Sequence, residues 1–250
     1  MFISPNWPVP KNIKAFCTTR KGGESKRPFD SFNLATHVED DLNTVLQNRQ
    51  LLQEVAHLPS TPIWLNQQHT DRAISLVADS EFTQPPIADA SWAQTPDVVC
   101  VVMTADCLPI LITDMDGTCV AAIHAGWKGL ADRIVSKTIK DLPVEPEKLM
   151  AWVGPAISQQ HFEVGQDVFD AFIAKDMKHK AYFEIKEQAE NKYLADLPGL
   201  VTSELNALGV NDVYQSGLCS YDDEEHFYSY RRDGKTGRMA SLIWIEKPTE

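Results

Sequence analysis

Residues 98–130 read VVCVVMTADCLPILITDMDGTCVAAIHAGWKGL, and this stretch decides the fold. It contains three apolar runs, VVCVVM (98–103), LPILIT (108–113) and CVAAI (119–123). Each has the length of a strand, and unbroken apolar runs of that length predict strands buried on both faces. Between the second and third lies DMDGT (114–118), where Asp116-Gly117 is a hairpin signal. The spacing therefore predicts strands over 98–104, 108–113 and 118–124, with 108–124 forming a hairpin.

Outward from this centre the pattern alternates irregularly. Leu42, Val45, Leu52 and Val55 share one face of a predicted helix over 41–57 that Pro59 stops. Further helices are predicted over 127–142, 165–175 and 196–208, the last followed by Gly209 at the position after a helix C-cap. Shorter strands are predicted at 62–67, 73–78, 149–153, 212–216, 226–230 and 239–245. Regular βαβα alternation is missing. The expectation is an α+β fold, one domain over 1–250, with a strand-rich mixed-sheet core flanked by about four main helices.

Composition narrows the class. Apolar residues make up 43% and charged residues 23%, the profile of a globular chain rather than a disordered one. No apolar run approaches the roughly 20 residues that span a bilayer. MFISPNWPVPKNIK lacks the basic and apolar regions of a secretory signal, so a cytoplasmic location is expected. A net charge of −12 argues against nucleic-acid binding but leaves room for a small anion held by local Arg or Lys. The five cysteines are odd in number and form no CxxC pair, which predicts free thiols. Cys100 and Cys119 sit inside apolar runs and read as small buried hydrophobes.

Three segments end a predicted strand with a chemically capable residue: His69 in WLNQQHT, Cys107 in VVMTADCLPIL and His124 in CVAAIHAGWKGL. Strand ends are where a rigid scaffold commonly displays functional groups. Taken singly, each is as readily a structural residue, and their spacing matches neither CxxC nor HExxH.

These segments resemble the signature of a bacterial and animal family once labelled multicopper polyphenol oxidase, or laccase-domain, proteins. Its members are read as purine nucleoside phosphorylases, and bacterial members also carry the name peptidoglycan editing factor. The resemblance runs from CTTRKGGES (17–25) and DSFNLATHVEDD (30–41) through VLQNR (45–49), WLNQQHT, ADA (88–90), MTADCLPILITD and AAIHAGWKGL. It continues in WVGPAI (152–157), FEVG, KYLADL (192–197) and FYSYRRDGKTGRMASLIW. Thr70 stands where the family commonly has glycine, and Lys128 where arginine is frequent.

The resemblance implies a metal bound by His69, Cys107 and His124. Two imidazoles and a thiolate suit zinc, and three protein ligands leave the open fourth position of a catalytic site, where water could be activated. Copper could occupy the same set. A true multicopper oxidase is excluded, because the seven histidines include no HxH pair. The implied substrates are purine nucleosides and phosphate: phosphorolysis of adenosine, inosine and methylthioadenosine, with hydrolytic deamination of adenosine. Deamination needs a carboxylate for proton transfer, and Asp106 and Asp89 are the candidates, each equally readable as an orienting group. For the anion, Arg20, Lys128, Gly126 with its neighbouring backbone at a helix start, Arg231 and Arg232 are candidates. Two other readings are a hydrolase of cell-wall precursors with Cys107 as nucleophile and a histidine as its base, and a non-catalytic binding protein. Oligomeric state is not legible.

Overall fold

The computed structural model describes residues 1–78, 80–186 and 190–247. The helices are α1 (Leu42–Val55), α2 (Trp127–Ala131), α3 (Ile134–Asp141), α4 (Gln166–Ile173), α5 (Leu197–Ala207) and the short α6 (Tyr230–Asp233). The strands are β1 (Phe2–Ile3), β2 (Ile13–Thr18), β3 (Ala73–Leu76), β4 (Ala90–Ala93), β5 (Cys100–Thr104), β6 (Leu108–Asp114), β7 (Val120–Ala125), β8 (Leu149–Val153), β9 (Glu163–Gly165), β10 (Phe183–Ile185), β11 (Lys192–Ala195), β12 (Asp212–Gln215) and β13 (Met239–Ile245).

They form a six-stranded sheet ordered β12-β8-β6-β7-β4-β3, a four-stranded sheet ordered β1-β2-β13-β5, and a small sheet β10-β11-β9. The six-stranded sheet is mixed: β12 and β3 pair in parallel with their neighbours, and the central strands pair antiparallel. The α+β expectation holds.

Side-chain alternation stacks the two larger sheets. From β6, Leu108, Ile110 and Ile112 pack toward α3, α4 and α5, while Leu111 points the other way. There it meets Val120, Ala122 and Trp152 of its own sheet and Cys17, Cys100, Val102 and Ile243 of the four-stranded sheet. The outer face of that second sheet carries Phe16, Val101, Leu242 and Trp244, covered by Leu52 of α1. The layers thus run helix, sheet, sheet, helices. The apolar runs are indeed buried on both faces, but one covering layer is another sheet and the central neighbours are antiparallel.

The hairpin forms as predicted. Gly117 has φ +66, Gly117 N–H donates to Asp114 O at 3.0 Å, and Asp114 Oδ1 accepts from Thr118 N and Cys119 N at 2.7 and 2.8 Å. Asp41 caps α1 by accepting from Thr44 N, and Gly209, with φ +99, follows the end of α5.

Three expectations need correction. The predicted helix over 127–142 is broken into α2 and α3, because Arg133 adopts the left-handed conformation at φ +71. Residues 62–67 make only isolated bridges, Ile63 with Cys100 and Asn66 with Ile87. In place of a ladder, the Gln67 side chain exchanges two 2.8 Å hydrogen bonds with the Met103 backbone. Residues 226–230 form no strand. Phe227 and Tyr228 are buried anchors, with Tyr228 Oη donating to Phe29 O at 2.6 Å, and Ser229 caps α6. Aromatic richness there reflected burial, not strand pairing. The strands β1, β2, β4, β9, β10 and β11 were not predicted; their short stretches carry no sustained alternation.

Candidate metal centre

The chain leaves the four-stranded sheet at Thr104 and enters the six-stranded sheet at Leu108, so Cys107 lies on the crossover between them. His124 projects from β7 on the face shared by Val120 and Ala122, toward the second sheet. His69 lies in the loop before β3. The ligating atoms of His69, Cys107 and His124 lie within 4.8 Å of one another, and the two imidazole centroids are 4.8 Å apart at 66°. Two of the backbone conformations that bring them together are uncommon for residues with side chains: His69 has φ +58 and Asp106, preceding Cys107, has φ +93. The latter is held by Ile157 N–H donating to Asp106 O at 2.9 Å.

Asp89 organises the ligands. It is fully buried, and its carboxylate accepts from His69 N at 3.0 Å, Thr70 N at 2.6 Å, Thr70 Oγ1 at 2.7 Å and Gln68 N at 3.2 Å, and it pairs with His124 Nδ1 at 2.7 Å. Of its two readings, this is the orienting one: a carboxylate so enclosed has no free path to a substrate. Burial opposes its charge, yet the His124 and Thr70 hydrogen bonds hold its pKa down at about 2. Burial likewise opposes the imidazolium of His124, but Asp89 and Cys107 outweigh it and raise the pKa to about 9. His69 is shifted the other way, lowered first by burial and then by His124. With Nδ1 engaged by Asp89, His124 turns Nε2 to the cluster, the carboxylate–histidine arrangement that fixes metal ligands. Thr70, where the resembled family commonly has glycine, adds a hydroxyl donor to the same carboxylate.

Gly126 belongs to this centre for a steric reason. A Cβ there would clash with the edge of the His69 imidazole and lie 3.1 Å from Cys107 Sγ. Gly126 is not among the residues lining the pocket beside these side chains, and the helix that follows it, α2, is five residues long. Lys128 is exposed and does not line the pocket beside the ligands.

That pocket has a volume of about 400 Å³ and is lined by His37, Gln67, Met103, Thr104, Asp106, Trp127, Ile157, Phe162, Tyr230, Arg231 and Arg238 besides the three ligands. Its size suits a small organic ligand. Asp106 reaches it while held by Ser220 Oγ at 2.7 Å and Arg231 N at 2.6 Å. Arg231 lies over the Phe162 ring at 5.0 Å and donates to Glu163 O at 2.8 Å.

Two anion candidates are elsewhere. Arg20 donates to Asp30 O at 2.9 Å and Glu224 O at 3.2 Å and lines a separate 870 Å³ depression. That depression is the larger cavity, but it mixes charges of both signs and lacks the metal-capable cluster. Arg232 spends its guanidinium on Ser220 O, Tyr221 O, Phe227 O and Asp233.

Arg238 and His37 were missed. Arg238 directly precedes β13, a strand-end position, and its Nη1 donates to Thr236 O and Gly237 O at 2.9 Å. No carboxylate forms an ion pair with it among the described residues, and burial lowers its pKa. Its charge faces Cys107, Asp106 and Tyr230. The sequence signal for Arg238 is its place in TGR (236–238), directly before the predicted strand 239–245.

Residues 14–246 match the family model described as multi-copper polyphenol oxidoreductase laccase, and the chain belongs to that family. It is 48% identical over 244 residues to a Haemophilus influenzae protein named purine nucleoside phosphorylase, covering 98% of this chain and 99% of the relative. It is 44% identical to the Escherichia coli purine nucleoside phosphorylase YfiH, covering 97% and 98%. A solved Neisseria meningitidis structure superimposes with a TM-score of 0.93 at 46% identity, covering 98% of this chain and 99% of that one.

Proposed function

We propose that the protein is a zinc-dependent purine nucleoside phosphorylase. It cleaves adenosine, inosine and methylthioadenosine to the free base and the corresponding pentose 1-phosphate, and also deaminates adenosine. The observation that carries this reading is the His69–Cys107–His124 set opening on a pocket that also holds Arg238, which forms no ion pair among the described residues. Relatives covering almost the whole chain bear the phosphorylase name, which supports the same reading. The location is the cytoplasm, and no nucleic-acid or membrane partner is implied; among the described residues no helix is long and apolar enough to cross a membrane.

The donor set fits zinc: one buried and one exposed imidazole and a thiol, with the buried imidazole oriented by a carboxylate. When bound, the metal supplies a Lewis acid that polarises a coordinated oxygen. Trp127, Ile157, Phe162 and Met103 give the pocket apolar walls for a purine. Arg238 and Arg231 offer guanidinium donors to phosphate, supplanting Arg20 and Lys128. In phosphorolysis a phosphate oxygen bonds to C1′ as the C1′–N9 bond breaks, and the base leaves with the electron pair. Asp106, held at both oxygens but facing the pocket, is positioned to accept a hydrogen bond from a ribose hydroxyl, or a proton in deamination.

One observation favours the cysteine-hydrolase reading: Cys107, His124 and Asp89 follow one another as nucleophile, base and orienting acid do. Metal content separates the two, because a thiolate bound to zinc is not a free nucleophile. The test is elemental analysis together with product identification from adenosine with and without phosphate. Zinc plus phosphate-dependent adenine and ribose 1-phosphate supports the proposal. Phosphate-independent ribose makes the protein a hydrolase, and inosine alone leaves only deamination.

A further inference from the structure

A second group of metal-ligating atoms lies outside the pocket lining. One ligand atom each from His161, Cys219 and Asp222 falls within 4.8 Å of the other two. We propose that these three residues form a second site for a divalent transition-metal ion, and that it takes zinc.

Cys219 and His161 are each held by contacts outside the trio, and Asp222 contacts His161. Cys219 forms a parallel bridge with Ala156, flanked by Ala156 N donating to Leu218 O at 3.3 Å and Ser220 N to Ala156 O at 3.0 Å. Its sulfur accepts from Ser158 N at 3.4 Å and lies 3.2 Å from Ser158 Oγ. The His161 ring stacks on Tyr221 with centroids 4.3 Å apart and planes at 12°. Asp222 follows Cys219 by one turn and approaches His161 Nε2 to 2.6 Å.

A histidine–aspartate ion pair would account for two of these residues. It does not account for a thiol brought to the same point and held there by the Ala156 bridge and the Ser158 backbone. One nitrogen, one sulfur and one oxygen make a borderline donor set that suits zinc. Around a tetrahedral zinc, nitrogen and oxygen ligand atoms sit roughly 3.3 Å apart, so the His161–Asp222 contact must widen by about 0.7 Å to admit the ion. Cys219 and His161 are only partly buried and Asp222 is exposed, so the ion would exchange with solvent more readily than one at the pocket.

The test uses the full-length protein and cobalt(II) or zinc as the probe. In Cys107→Ala, which removes the only thiol of the pocket centre, cobalt should still give a thiolate-to-metal charge-transfer band. That band should vanish in Cys107→Ala/Cys219→Ala. In the otherwise native chain, Cys219→Ser should lower bound zinc by one per chain without disturbing the pocket ion, so failure of the pocket assignment is distinguishable from failure of this one. No thiolate band in folded Cys107→Ala overturns the proposal. So does an undiminished zinc count in Cys219→Ser, which also decides the matter if Cys107→Ala does not fold.

Discussion

His124 Nδ1 lies 2.7 Å from Asp89 Oδ1, and the same carboxylate holds the backbone N–H of His69 at 3.0 Å. One buried anion therefore ties together two ligands that lie on different segments. The side chain of one and the main chain of the other depend on a group that does not itself touch the pocket.

Asp89→Asn is expected to weaken metal binding about 10–100-fold, the usual effect of losing an orienting partner. The amide keeps one acceptor but turns an N–H₂ toward donors from Thr70 or His124. Competition with a chromophoric chelator measures this. Unchanged affinity would show that His69 and His124 hold their positions without the carboxylate.

Gly126→Ala should displace His69, because the added methyl would clash with the edge of the imidazole. The buried strands around it do not depend on that ring, so the expectation is metal loss with a largely native circular dichroism spectrum. A fully loaded Gly126→Ala protein would refute this account of the glycine.

The cysteines should separate by chemistry. Burial raises the thiols of Cys17, Cys100 and Cys119 to about 12, so they should resist alkylation in the folded protein at neutral pH. Cys100→Ala and Cys119→Val should cost stability only, within the roughly 0.5–3 kcal/mol typical of core changes. Cys107→Ala should lose metal and activity. Mass spectrometry after alkylation, with and without chelator, should show Cys107 protected only when metal is bound.

Removing the charge of Arg238 should affect phosphate selectively. Arg238→Ala is expected to lose about 1.5–3 kcal/mol of a charge-assisted hydrogen bond, or about ten- to over a hundredfold in kcat/KM for phosphate. Arg20→Ala, whose guanidinium serves Asp30 and Glu224 outside the pocket, should not change that constant. If Arg20 proved the more sensitive of the two, the anion would have to enter from the other cavity.

Protonation of His124 sets opposite pH trends for metal binding and for metal-free stability. Its pKa rises from 6.5 to about 9 in the folded, metal-free protein. The stabilising charge pair is fully present below 6.5 and is lost as pH climbs through about 9, so metal-free stability should fall across that window. Metal must displace this proton, so its apparent affinity should rise about tenfold per pH unit over the same range for this group alone. Chemical denaturation of metal-free protein at several pH values, beside metal titrations, tests both signs.

Much was legible in one dimension because it depends on local pattern. Three short apolar runs predicted the central strands, Asp116-Gly117 predicted their hairpin, and Pro59 and Gly209 marked where the helices 41–57 and 196–208 end. His69, Cys107 and His124 could be nominated from their places at strand ends, and the resemblance joined them. Only the tertiary structure decided that they converge, since that depends on the stacking of two sheets and a crossover between them. The same holds for the arginines. Arg20, Arg231, Arg232 and Arg238 carry the same charge in sequence, and what separates them is which acceptors lie within reach after folding. Arg20 and Arg232 are spent on backbone oxygens and aspartates, while Arg238 arrives in the pocket with no ion pair among the described residues. Charge is a property of the residue, whereas its free donors are a property of the surroundings that long-range packing creates.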